Sequence, residues 1–221
     1  MSDASAAKGA AQLASTEFSW EQAVGGVRGL VESIAPGTVF VTAYLIVGGF
    51  RVPVIAAVAT VVVLVAARLI QRTPATQAFS GLFGVALGAI WAWRAGDASE
   101  YFAPGLWITG TYTAALIATM LVRWPAVGVA FALFKGWSSA WRKDKALMRR
   151  FQLATGVFAA SQAIKLAIQL PLYLAGATAA LGTARLALGA PLFALVLFVM
   201  WRMVRSATLV EAPKDQPQPT E

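Results

Sequence analysis

Long apolar stretches, broken by short basic or proline-bearing segments, dominate the chain. A helix needs roughly 20 mostly apolar residues to cross the ~30 Å hydrocarbon core of a bilayer. Six stretches are predicted as spans: 30–50 (apolar from Gly37), 52–70, 79–93, 102–122, 151–174 and 186–203. Between the fourth and fifth, 125–134 offers an apolar run of only about ten residues, which at ~1.5 Å rise covers about half of the core. It is predicted as a re-entrant or interfacial segment rather than a seventh span. The expected fold is all-α: a polytopic bundle of about six transmembrane helices, residues 30–206, with an interfacial basic segment at 125–150.

The distribution of charge bears on the threading. With six spans and the N-terminus inside, fourteen of the eighteen Lys and Arg fall on the inner face, while Arg51, Arg94 and Arg185 fall in outer loops and Lys165 lies within the membrane. That bias follows the positive-inside rule, so both termini are expected in the cytoplasm. A seventh span would separate Arg123 from the basic cluster at 135–150 and weaken the pattern. Trp91, Trp93, Trp107, Trp124, Trp137, Trp141 and Trp201 stand at or near predicted span ends, the headgroup level that amphipathic rings prefer. Residues 1–29 are expected to be a cytoplasmic region, polar at first and without the pattern of a cleaved signal. Ser19 and Gln22 resemble a capping box that would open a surface helix over 18–34, leading to Pro36. The tail 207–221, rich in Pro, Gln and acid, is expected to be disordered.

Composition agrees with this class: 58% of the 221 residues are hydrophobic and 13% charged, with a mean hydropathy of +0.67. Cys and His are absent, which removes disulfides, thiol nucleophiles and the commonest zinc and haem ligands. No cofactor or metal is expected. The net charge of +8 is accounted for by topology, so nucleic acid is not expected as a partner.

Within the fifth predicted span, Ser161, Gln162, Lys165 and Gln169 share one face of a helix, in a stripe about 100° wide. An ammonium at membrane depth is costly and marks a functional site by default. Two readings follow. Lys165 is the positive element of a cavity for an anionic or polar ligand, with Gln162 and Gln169 orienting it and Ser161 beside them. Alternatively, Lys165 snorkels to Asp97 or Glu100 and the glutamines hold helices together. Ser161 and Lys165 also have the spacing of a nucleophile and its base, but spacing alone does not make such a pair. No catalytic residue is assigned. Pro171 and Pro191 are expected to kink the helices around this stripe.

The stretch 134–150 interleaves aromatics with base. Lys135, Trp137, Trp141, Arg142, Lys143, Lys145, Arg149 and Arg150 are candidates for contact with anionic headgroups, each cation near the surface contributing about 1 kcal/mol. A plain topological role for the same charges is the alternative. Gly81, Gly84 and Gly88 form a small-residue seam on the third span, suited to close helix packing.

The segment Gly25-Gly26-Val27-Arg28-Gly29-Leu30-Val31-Glu32-Ser33-Ile34-Ala35-Pro36, together with Arg72-Thr73-Pro74, Trp124-Pro125 and Pro171-Leu172-Tyr173-Leu174, resembles the actinobacterial membrane family catalogued as domain of unknown function 3159. The resemblance extends from about Trp20 to Arg205. More remotely, the order of spans is similar to the intracellular septation protein A family. That likeness implies a cytoplasmic-membrane protein connected with envelope synthesis or division, and carries no catalytic residues over. The leading expectation is a non-enzymatic multi-pass protein of the cytoplasmic membrane that organises the envelope through anionic lipids, a membrane-protein partner or a second copy of itself. The alternative is a carrier or binding protein for a small anionic or polar solute.

Overall fold

The computed structural model describes residues 26–71 and 76–205, and all regular structure among them is helical. In chain order the helices are α1 (Gly26–Val47), α2 (Arg51–Ile70), α3 (Thr76–Ala95), a 3-10 turn (Ser99–Phe102), α4 (Ala103–Leu121), α5 (Ala126–Lys135), a second 3-10 turn (Ser139–Lys143), α6 (Lys145–Leu174), α7 (Thr178–Ala187) and α8 (Ala190–Val204). All six predicted apolar stretches are thus helical. Among the described residues, three units are long and apolar enough to cross a membrane: α2, α6, and α7 with α8 taken together as Thr178–Val204. A fourth is the bent pair Ser99–Leu121 and Ala126–Lys135; α1 and α3 contribute shorter apolar lengths, Val31–Val47 and Leu82–Ala95. Large apolar side chains face outward all round, among them Ile70 (82% exposed), Leu121 (78%) and Leu133 (77%). Water would not tolerate such a surface; lipid would.

Short links make neighbouring helices antiparallel. Gly48 and Gly49 turn α1 into α2 with φ of +69° and +61°, a conformation in which a Cβ is strained. Arg123 takes φ +55° after α4, and Pro125 then stands at the N-cap of α5. The two helices meet at 80°, so the predicted short segment exists and turns across the bundle.

Three boundaries differ from the sequence reading. First, α6 starts at Lys145 rather than at 151, because an Asp144 carboxylate oxygen accepts from the amides of Ala146 at 2.7 Å and Leu147 at 3.1 Å. Such an N-cap fixes the first turn. Second, the last apolar unit opens at Thr178 rather than at 186, and its break at Leu188 and Gly189 leaves Pro191 in the first turn of α8. Proline there lacks only an N–H that would be unpaired anyway, so Pro191 starts a helix instead of kinking one. Third, α1 runs unbroken through Pro36, so no separate surface helix ends at that proline. Residues 18–25 of that predicted helix, the Arg72-Thr73-Pro74 segment and the tail 207–221 lie outside the described residues.

Two apolar cores hold the bundle. One, at the end that carries Lys145 and Arg150, joins α5, α6 and α8 through Val127, Phe131, Trp141, Phe151, Leu197, Met200 and Val204. The other joins α1, α2, α3, α7 and the first 3-10 turn through Phe40, Val54, Ala57, Ala92, Phe102 and Leu181. Along α6, Phe158 packs on the first core and Leu172 and Tyr173 on the second, while residues 160–171 contribute to neither. The polar stripe falls in that interval.

Candidate functional site

Residue by residue, the stripe on α6 divides sharply. Ser161 is buried and its hydroxyl donates to the Phe158 carbonyl at 2.7 Å, so its polarity is spent on its own helix. Gln169 is 7% exposed. Gln162 and Lys165 are half-buried, whereas Ala163, Ala167 and Leu170 on the opposite face are exposed. The polar face therefore turns inward. The side chains of Gln162, Lys165 and Gln169 have no hydrogen bond or ion pair with any other described residue. A buried amide or ammonium without a partner carries a desolvation penalty of roughly 1–3 kcal/mol or more.

The two acids expected to receive Lys165 are occupied elsewhere. Asp97 accepts from the Ser99 amide at 2.7 Å and the Ser99 hydroxyl at 2.8 Å. Glu100 accepts from the Tyr173 phenol at 2.6 Å, tying the far end of α6 to the first 3-10 turn. Neither forms an ion pair with Lys165. The 3-10 turn is tucked in beside α3: a Cβ on Gly88 would stand 2.6 Å from the Tyr101 carbonyl oxygen. The Tyr101 ring stacks on Phe40 with centroids 4.3 Å apart, and Phe102 meets Phe40 edge-on at 5.2 Å. In the small-residue seam Gly88 thus serves internal packing, while Gly84 faces open space.

The sequence reading placed Arg185 in an outer loop; it belongs to the last turn of α7. Its guanidinium lies 5.6 Å from the Phe102 ring centroid and donates to the Phe102 carbonyl at 3.3 Å. It also presses on α4 where a Cβ on Gly105 would overlap it. Arg185 and Lys165 are within electrostatic reach of one another. The predicted span opens at Leu186 because the charge of Arg185 ends the apolar run in the sequence. The helical spacing of Leu181, Arg185 and Leu188 was the signal for a longer helix.

A protein-family model described as Protein of unknown function (DUF3159) matches residues 24–211, a length that includes every helix above. The chain belongs to the DUF3159 family. No curated protein and no solved structure matches it.

At the other end of this DUF3159 protein, the basic and aromatic residues fall into two groups. Lys135, Lys143, Lys145, Arg149 and Arg150 are exposed. Trp141 is not: it is 1% exposed, packed edge-on against Phe151 at 5.2 Å and close over Gly128. It cannot touch a headgroup, because the core uses its whole ring. Trp137 is half-buried and packs on Phe131 at 5.1 Å. Arg142 stacks over Trp124 at 4.1 Å and donates to the Arg123 carbonyl at 3.3 Å, so it clips the second 3-10 turn to the α4–α5 corner. The same end carries Glu32, which accepts from Arg28 of its own helix at 2.8 Å and from Arg68 of α2 at 2.7 Å.

Proposed function

We propose that this DUF3159 protein is a non-enzymatic, six-span protein of the cytoplasmic membrane, both ends inside, that binds a small anionic or polar solute at Lys165, Gln162 and Gln169. One observation carries the reading: these three side chains face the bundle interior with no partner among the described residues. A half-buried ammonium at membrane depth that served only packing would be expected to reach an acid or the headgroups. The nearest acids instead hold Ser99 and Tyr173. A ligand supplying acceptors to Lys165 and to the two amides would remove the penalty of leaving them bare. Because α6 continues nine residues past Lys165 toward its far end, the site lies in the outer half of the membrane.

The test is native mass spectrometry of the protein taken gently from its own membrane, wild type against Lys165→Met. Loss of a bound small molecule with the lysine is the expected result. Identical ligand content in the two proteins would refute the reading.

A second reading has its own support. The exposed cations from Lys135 to Arg150, held in place by the Arg142–Trp124 stack, suit anionic headgroups of the inner leaflet. On that reading the protein organises the envelope through lipids or a membrane partner, as the remote likeness to septation proteins implies. Substituting Arg149 and Arg150 would then impair the cellular role, and Lys165→Met would not.

A further inference from the structure

A carbonyl oxygen and an aromatic face satisfy only part of a guanidinium, which has five N–H donors in a planar fork. Arg185 has these two partners, both on Phe102, and no ion pair with any described residue. Its position is built in: α4 carries glycine at 105, and any side chain there would occupy the space of the guanidinium.

The level of Arg185 relative to the stripe follows from helix register. Gly110 of α4 faces Leu166 of α6, and Gly156 of α6 faces Met120 of α4, with the Gln152 amide donating to the Met120 carbonyl at 2.9 Å. That antiparallel register carries Gly105 to about the level of Pro171, roughly 3 Å along the axis beyond Gln169 and about two turns beyond Lys165. Arg185, pressed on Gly105, therefore caps the stripe from the α7 side. Gln169, buried and unpartnered, sits between the two cations. Two positive charges in an apolar bundle repel, and with no acid bound to either the arrangement is costly.

We propose that Lys165, Gln169 and Arg185 together hold a small dianion, a phosphate group or a dicarboxylate, that reaches them from the outer side of the membrane. This rests on the solute-binding reading above and specifies its ligand. Two cations call for two negative charges: a monoanion leaves one positive charge uncompensated, and a neutral solute leaves both. The arginine fork matches paired oxygens of phosphate or carboxylate, while the lysine acts as a point charge and the Gln169 amide orients the remaining oxygen. The phosphate can come free from solution or as the monoester headgroup of an outer-leaflet lipid, which also carries nearly two negative charges above neutral pH, and the chemistry at the three side chains is the same.

The test uses the full chain in phosphatidylcholine nanodiscs, titrated calorimetrically with inorganic phosphate, succinate and acetate at mildly alkaline pH. Phosphate or succinate is expected to bind at least about tenfold tighter than acetate. Arg185→Gln and Lys165→Met should each erase that preference. Gly105→Ala, which keeps every charge but displaces the guanidinium, should weaken dianion binding and spare acetate, and since only a flexible side-chain end must move, its fold is expected to survive. Repeating the titration in nanodiscs containing phosphatidic acid, whose headgroup is a phosphate monoester, separates the sources: apparent phosphate affinity falls in wild type, but not in Arg185→Gln, if a headgroup occupies the site, and is unchanged if free anion does. If Lys165→Met abolishes binding while Arg185→Gln and Gly105→Ala leave it within about twofold, the proposal fails and the solute-binding reading stands. If wild type binds neither dianion up to about 10 mM, the proposal is also overturned, and the mass-spectrometric comparison of wild type with Lys165→Met then decides the broader reading by itself.

Discussion

A methyl group at position 88 would stand 2.6 Å from the Tyr101 carbonyl oxygen, whereas one at position 84 would meet nothing within 4 Å. The contrast gives a paired prediction. Gly88→Ala forces the Ser99–Phe102 turn outward and should cost about 1–3 kcal/mol, the usual range for overpacking; Gly84→Ala should be near neutral. Thermal unfolding of the two variants in the same detergent checks this. Glu32 is a second residue with a sharp expectation, since it holds Arg68, itself buried, from another helix. Glu32→Gln should destabilise by about 2–3 kcal/mol, because a charged acceptor shared by two guanidinium groups becomes a neutral one. Legibility at this scale depends on contrast. Lys165 stands out in the sequence because every neighbour within three positions is apolar or uncharged. Arg185 does not, because it falls at the edge of an apolar run, where an arginine normally marks a loop. That Gln169 is buried while Gln162 is only half-buried follows from which helix lies opposite, and one helix's own sequence does not contain that.

At the level of elements, the short helix α5 depends on a single buried hydroxyl. The Thr155 side chain accepts from the Val127 amide at 3.2 Å and donates to the Phe151 carbonyl at 2.8 Å, so it satisfies one of the open N–H groups in the first turn of α5. Thr155→Val keeps the shape and removes both bonds; a loss of about 1–3 kcal/mol is expected. Trp141→Ala empties the same corner and should cost about 3–5 kcal/mol, whereas Arg149→Ala, at an exposed position, should stay within about 0.5 kcal/mol. Equal effects of the tryptophan and arginine substitutions on melting would contradict the placement of Trp141 in the core. The existence of α5 was legible because ten apolar residues are too few to span and Pro125 forbids a continuous helix. Its 80° turn was not, since it follows from the positive φ of Arg123. Position near a span end was also a poor guide to tryptophan: Trp107, among apolar neighbours in the chain, is 72% exposed, and Trp141, beside Arg142 and Lys143, is in the core.

For the whole molecule, the basic residues gather at the end formed by the start of α6 and the ends of α2 and α4, while Asp97 and Glu100 belong to the opposite end. The chain has no cysteine, so single cysteines report topology without a background. Arg94→Cys should react with an impermeant maleimide in intact cells and Arg149→Cys only after permeabilisation. Labelling of both in intact cells would break the six-span arrangement. The all-helical class and the order of elements were legible from hydropathy alone, because the length of an apolar run sets what a helix can cross. The cluster of Arg185, Phe102, Gly105 and the α6 stripe was not, because it assembles from segments far apart in sequence through helix register. The account as a whole turns on what neutralises Lys165. The most direct measurement is a high-resolution density map of the protein in lipid nanodiscs, read at that side chain. Density for a non-protein group within about 3 Å of Lys165 Nζ, the range of a charge-assisted hydrogen bond, is the result this account predicts. A lysine extended to Glu100 or to the outer headgroups, with no such density beside it, would contradict it.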